Sequence, residues 1–251
     1  MKIIIIGSGT GVPSLKRASP ALMVVMATKE HLLFDTGPGT LRQMQHLGYD
    51  YRTPDYIFYT HFHLDHIADL AAFLFAAKYP SSPRRKPLVL VGPEGFKDFY
   101  RRLFNLYGEQ IISDLYKLEI EEMGKAALSR GNWKITARSL PHTEPSIGYR
   151  LEDEEGRVVV YSGDTDYAPQ LIELAREADL LITESSFPDE IKVGGHLTPR
   201  LAGRAAREAN CKRLLLTHFY PECDRVDILS QCCQEYDGEI ILALDMLRVE
   251  I

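Results

Sequence analysis

Residues 60 to 66 read Thr-His-Phe-His-Leu-Asp-His, which places three of the chain's eight histidines and one carboxylate side by side. Neutral imidazole is the commonest metal ligand among side chains. Imidazole nitrogens combined with a carboxylate oxygen suit zinc, with iron or manganese as the next choices. His61 and His63, two positions apart, can converge on one ion. Asp65 and His66 are neighbours and point differently, toward a second. A loop of ordinary polar residues would rarely gather four potential ligands so closely, whereas a lone His-x-His would mean much less.

Such a cluster needs a rigid support. Tyr56 to Tyr59 reads as a buried strand and Ile67 to Ala77 as an apolar helix, so the ligands fall on a strand-to-helix loop. The same arrangement recurs along the chain. Strands end at His61, at His142 (after Lys134–Leu140), at Asp164 (after Arg157–Tyr161), at Glu184 (after Leu180–Thr183) and at His218 (after Arg213–Leu216). Ile3–Ile6 reads as a strand. Ala21–Ala27 and His31–Phe34 read as a hairpin, and Ser146–Glu152 pairs with Arg157–Tyr161 through a turn at Asp153–Gly156. Helices are expected at Thr40–Leu47, Pro169–Ala178, Pro199–Ala209 and around Val226–Tyr236, with a last strand near Glu239–Ala243. Residues 94 to 123 read as mostly helical. The aromatic stripe from Phe96 to Tyr107 reads as core, with a pocket wall or a dimer face as its other uses. Gly7-Ser-Gly-Thr-Gly11 is only superficially a dinucleotide fingerprint, because Val12-Pro13-Ser14 is poor material for the helix such a turn must open. Asp35 either orients a ligand from behind or caps the helix at Thr40. Two sheets packed on each other with helices outside, an α/β sandwich formed by residues 1–251 as one domain, would bring these strand ends to one edge. A duplication split near residue 130 is compatible with this pattern.

Composition narrows the classes. The chain has 251 residues, 45% hydrophobic and 25% charged, an ordinary globular balance. A formal charge of −6 argues against a protein that coats nucleic acid through general basicity. Ile3–Ile6 is too short for a signal-peptide core and no apolar run approaches a membrane span. Cys211, Cys223, Cys232 and Cys233 lack Cys-x-x-Cys spacing and read as reduced thiols. The expectation is a cytoplasmic protein.

Together, His61-x-His63-x-Asp65-His66, His142, Asp164 in Ser-Gly-Asp-Thr and His218 in Leu-Thr-His-Phe resemble the metallo-β-lactamase fold superfamily, in the same order and over nearly the whole chain. Within it, Gly-Thr-Gly-Val-Pro13, Leu-Phe-Asp-Thr-Gly37, Glu184 and His196-Leu-Thr198 look most like the ribonuclease Z branch. The resemblance implies a four-layer αββα sandwich and a dinuclear centre. In it His61, His63 and His142 would hold one ion, Asp65, His66 and His218 the other, and Asp164 would bridge. It also implies two divalent metal ions, zinc first and manganese or iron as alternatives, and a homodimer. It gives Asp65, His196 and Glu184 catalytic parts, with Asp65 accepting a proton from water, His196 as acid to the leaving group and Glu184 holding His196. True β-lactamases usually lack the Asp65 type of ligand and the His-x-Thr box.

The expected activity is hydrolysis of a phosphodiester, in RNA or in a small nucleotide. Zinc brings the pKa of bound water from 15.7 to about 7, which makes hydroxide available near neutrality. One departure bears on substrate. Short ribonuclease Z enzymes carry a tRNA-gripping arm between the positions matching His142 and Asp164, and here a hairpin fills that interval. Hydrolysis of a small cyclic phosphate, or of another ester or thioester, is therefore the competing expectation. The phosphoribosyl cyclic phosphodiesterase branch often adds an early cysteine-rich zinc site, which this chain lacks. Arg200, Arg204 and Arg207 share one helix face and would either steer phosphate or form a solvated surface. His31 and His46 read as structural.

Overall fold

A computed structural model describes residues 1–124 and 127–251. The first half runs β1 (Lys2–Gly7), β2 (Ala21–Val25), β3 (His31–Phe34), α1 (Thr40–His46), β4 (Tyr56–Phe58), α2 (Leu64–Ile67), α3 (Asp69–Ala77), β5 (Leu88–Gly92), α4 (Phe96–Tyr107) and β6 (Leu118–Glu122). The second runs β7 (Ala127–Arg130), β8 (Trp133–Ser139), β9 (Ile147–Asp153), β10 (Val158–Tyr161), α5 (Pro169–Ala175), β11 (Leu180–Glu184), α6 (Pro199–Glu208), β12 (Arg213–Thr217), α7 (Ile228–Cys233), β13 (Glu239–Leu242) and β14 (Arg248–Glu250).

The halves build two seven-stranded sheets, in the orders β14-β1-β2-β3-β4-β5-β6 and β13-β12-β11-β10-β9-β8-β7. Each begins as antiparallel hairpins and continues as parallel strands, β3 to β6 in one and β10 to β13 in the other. Parallel neighbours need crossovers, and helices supply them. β14 returns to pair with β1, so the end of the chain closes the first sheet.

The run Ile3-Ile4-Ile5-Ile6 shows why the layers form. Ile3 and Ile5 face the second sheet, while Ile4 and Ile6 join Met44, Leu70, Phe73 and Phe96 beneath the helices. A strand buried on both faces reads as continuously apolar. Between the sheets Phe34 and Phe58 stack at 5.0 Å, and Tyr149 meets both edge-on. The fold is thus the four-layer α/β sandwich expected.

Three expectations are corrected. Residues 94 to 123 are not mostly helical, because after α4 and a 3-10 turn the chain forms strand β6. The α4 stripe is not core as a whole. Phe96 alone on that helix is fully buried, while Phe104, Leu106 and Tyr107 are exposed. The helix after the histidine cluster starts at Leu64 rather than Ile67, so Asp65 and His66 lie in a helical first turn.

Candidate metal centre

Each ligand candidate sits at or just past the C-terminal end of a strand, most of them parallel, the usual position for sites in α/β sheets. β4 leads to His61 and His63, and α2 presents Asp65 and His66. His142 follows β8, Asp164 follows β10, Glu184 closes β11 and His218 follows β12. Asp35 and His218 turn off their strands in the left-handed region, at φ 56° and 58°. That conformation is uncommon for residues other than glycine and persists where surrounding contacts enforce it. Gly37 is required by proximity: a Cβ there would lie 2.0 Å from the Asp65 carbonyl oxygen.

Three overlapping groups of ligand atoms result. His61, His63, His142 and Asp164 form the first cluster, Asp65, His66 and His218 the second, and Asp164, His196 and His218 also lie close enough together to share an ion. In the first, His142 Nε2 lies 3.1 Å from His63 Nδ1, and Asp164 Oδ2 lies 3.7 Å from His142 Nε2 and 3.9 Å from His61 Nε2. In the second, His66 Nε2 and His218 Nε2 are 3.3 Å apart, and His218 Nε2 is 3.4 Å from Asp65 Oδ2. Asp164 Oδ1 completes this second group, 3.2 Å from His66 Nε2 and 3.4 Å from His218 Nε2. Nitrogens 2.0–2.1 Å from a tetrahedral zinc are separated by about 3.3 Å. The two oxygens of Asp164 therefore serve different clusters, as a bridging carboxylate would.

The residues fit divalent ions on further grounds. His61 Nε2 and Asp164 Oδ1 are buried and have no hydrogen-bond partner, a costly condition unless something else satisfies them. His142 Nδ1 donates to the Gly195 carbonyl at 2.8 Å and His66 Nδ1 to Asp35 Oδ2 at 2.8 Å. With Nδ1 committed, each Nε2 faces into its cluster, nitrogen against nitrogen, an arrangement that a shared cation reconciles.

Asp35 is settled as an orienting residue. It accepts from His66, from the Thr60 backbone N–H at 2.9 Å and hydroxyl at 2.9 Å, and from the Tyr161 hydroxyl at 2.9 Å. The α1 N-terminus has no side-chain cap. The Thr60 hydroxyl, having given its proton to Asp35, accepts from His61 Nδ1 at 3.0 Å. One carboxylate–hydroxyl pair thus fixes a candidate ligand in each cluster. Asp35→Ala is expected to weaken metal binding about 10–100-fold, measured by chelator competition. Unchanged affinity would refute this orienting role.

Burial, joined by the neighbouring His66 charge, pushes His61 down to about 2. Burial opposes charge on His66 too, yet Asp164 and Asp35 overcome it and hold this imidazole well above its ordinary value. Asp65 and Asp164 are both depressed. Burial works against each, but the His218 hydrogen bond prevails at Asp65 and the His218 and His66 charges prevail at Asp164. The two carboxylates are thus held as anions against the imidazoles packed around them.

Beside the clusters, His196 Nδ1 donates to Glu184, 3.0 and 3.1 Å from its two oxygens. Burial lowers the His196 pKa, but the Glu184 hydrogen bond and charge outweigh it and the net shift is upward. The His196 ring lies 4.8 Å from that of His142 and 6.1 Å from that of His218. Phe187 and Tyr220 stack at 4.4 Å and flank it. Asp166 accepts from the Gly195 N–H and pairs with Lys192, both at 2.9 Å, which secures the loop before His196.

The sequence-derived set, His61, His63, Asp65, His66, His142, Asp164 and His218 with Glu184 and His196, is thus gathered in one place. Arg200, Arg204 and Arg207 are engaged by Asp189, Glu208 and Glu235 and form an ion-paired surface. Thr60, Tyr161 and Ser186 were not singled out from sequence, although Thr60 directly precedes His61 and Ser186 stands two residues beyond Glu184. Cys211, Cys223 and Cys232 are buried and Cys233 is exposed, none of them paired with another.

A family model described as "Beta-lactamase superfamily domain" matches residues 30–219. Ribonuclease Z of Myxococcus xanthus is 29% identical over 307 aligned positions, covering 100% of this chain and 98% of that protein. An alignment of that length against 251 residues includes stretches that the relative has and this chain lacks. Among solved structures, the metallo-β-lactamase fold protein YhfI from Bacillus subtilis superposes with a TM-score of 0.84 at 25% identity, covering 99% of each chain. Human tRNase Z, short form, superposes with a TM-score of 0.80 at 26% identity, covering 100% of this chain and 99% of that one.

Proposed function

The chain belongs to the β-lactamase superfamily, and from that premise we propose that it is a dinuclear metal-dependent phosphodiesterase of the ribonuclease Z type. The observation that carries this reading is His196, held by Glu184 beside one cluster that contains Asp164 Oδ2 and a second that Asp164 Oδ1 reaches. A phosphodiester needs a nucleophile on one side of phosphorus and a proton for the alkoxide leaving on the other, and the site has residues for both tasks.

His61, His63, His142 and Asp164 Oδ2 would hold one divalent ion, and Asp65, His66, His218 and Asp164 Oδ1 the second, with zinc the best match to the donor set. When bound, such a pair acidifies water and polarises a phosphoryl oxygen. Asp65, held anionic, accepts a proton from the attacking water at a carboxylate oxygen. His196 donates from Nε2 to the leaving oxygen while Nδ1 stays on Glu184, whose charge stabilises the imidazolium before transfer. Phe187 and Tyr220 exclude water around the imidazole and strengthen its pairing with Glu184. Residues 1–251 act as one catalytic domain in this reading, since both sheets contribute ligands.

The substrate is a phosphodiester in an RNA end or a small nucleotide. Between His142 and Asp164 the chain is the β9–β10 hairpin, closed by the Gly156 N–H to the Asp153 carbonyl at 2.9 Å. That leaves no arm in the interval to grip a folded RNA. Among the described residues no helix is long and apolar enough to cross a membrane. Zinc-loaded protein assayed on bis(p-nitrophenyl) phosphate, a thioester and a β-lactam is expected to turn over the diester preferentially. Strong thioesterase or lactamase activity without diesterase activity would overturn the proposal.

A further inference from the structure

We propose that Ser186 is a positioning residue that couples the second metal cluster to the catalytic acid by fixing the tautomers of His218 and His196 together. Its hydroxyl is fully buried. It hydrogen-bonds Glu184 Oε2 and lies 3.0 Å from His218 Nδ1 and 3.2 Å from His196 Nδ1. A serine hydroxyl has one proton to give and two lone pairs to accept with. The Glu184 carboxylate can only accept, so the Ser186 proton goes there. Ser186 is then an acceptor toward both imidazoles, and His218 must place its proton on Nδ1. The His218 Nε2 lone pair consequently faces Asp65, His66 and Asp164. His196 likewise keeps its proton on Nδ1, toward Glu184 and Ser186, and its Nε2 bonds no protein atom among the described residues. In the opposite arrangement, Ser186 would donate to His218 and set its own oxygen against a carboxylate oxygen with no proton between them.

The first sheet supports this assignment independently. Thr60 and Asp35 form the same unit after β4 and β3, with the hydroxyl donating to the carboxylate and accepting from His61 Nδ1 while Asp35 accepts from His66 Nδ1. There both imidazoles are ligands. In the second sheet one member of the corresponding pair, His196, is the proposed acid, its ring 4.8 Å from that of His142, so the same device ties a candidate ligand to the proton donor.

The inference rests on the phosphodiesterase reading only where turnover is concerned, and metal binding tests it separately. In Ser186→Ala, chelator competition with Zn²⁺ is expected to show one of two equivalents weakened 10–100-fold and the other unchanged. At saturating zinc, kcat for an alkyl-leaving phosphodiester should also fall, and Ser186→Thr, which keeps a hydroxyl, should recover both. In zinc-loaded wild-type protein, ¹⁵N-edited imidazole spectra should show His218 and His196 protonated at Nδ1. That readout does not depend on a variant folding or on any activity. The proposal is overturned if both equivalents bind Ser186→Ala as they bind wild type, if affinity falls while kcat at saturation does not, or if His218 carries its proton on Nε2.

Discussion

Asp164→Ala is expected to lose tight binding at both metal positions and to retain phosphodiesterase activity lower by on the order of 10³-fold or more. The estimate follows from several kcal/mol of metal-derived charge stabilisation at about 1.4 kcal/mol per tenfold in rate. Asp164 is singled out because each of its oxygens faces a different cluster, whereas substitution of His63 or His218 should disturb one half more than the other. The residue is buried, and the neighbouring His142 and His66 have their other nitrogens already committed to Gly195 and Asp35. Zinc content by elemental analysis together with kcat/KM provides the measurement. A variant that keeps two tightly bound equivalents would refute the bridging role.

His196→Ala is expected to keep both metals and lose about 10²–10⁴-fold in kcat on a diester with an alkyl leaving group. On a p-nitrophenyl diester, whose leaving group departs without a proton, the loss should be much smaller. The pH profile gives the sign. Burial pulls the His196 pKa down but Glu184 raises it on balance, and an acid works only while protonated. Activity on the alkyl substrate should therefore hold below that raised pKa and fall as pH increases through it. Glu184→Gln should move this alkaline limb to lower pH. Loss of a metal on His196→Ala would make His196 a ligand, and equal losses on both substrates would remove its role as acid.

The site was more legible in the sequence than the outline of the sheets. His61 to His66 announced metal chemistry because few other demands concentrate imidazole and carboxylate so closely. The remaining candidate ligands stood at strand ends marked by apolar runs. The strands that escaped notice, β6, β7 and β14, all lie at sheet edges. Edge strands carry charge that discourages further pairing, and Leu118-Glu-Ile-Glu-Glu122 accordingly reads as polar. The α4 aromatics misled for a related reason. Spacing reports which residues share a helix face but not whether anything covers that face, and Phe104, Leu106 and Tyr107 remain open. The start of α2 was hidden because Asp65 and His66 in its single turn, Leu64–Ile67, interrupt the apolar run and read as candidate ligands. Asp35 illustrates the limit of local reading: its choice between capping and orienting was settled by His66 and Tyr161, distant in sequence.

The proposed phosphodiester hydrolysis depends on two ions held by residues from both sheets. Its most direct test is titration of zinc into chelator-stripped protein while following bound metal and turnover of bis(p-nitrophenyl) phosphate in the same samples. Saturation at two equivalents per chain, with diesterase activity reaching its plateau only as the second is bound, is the predicted result. Saturation at one equivalent, or two bound equivalents with no diester turnover, would contradict it.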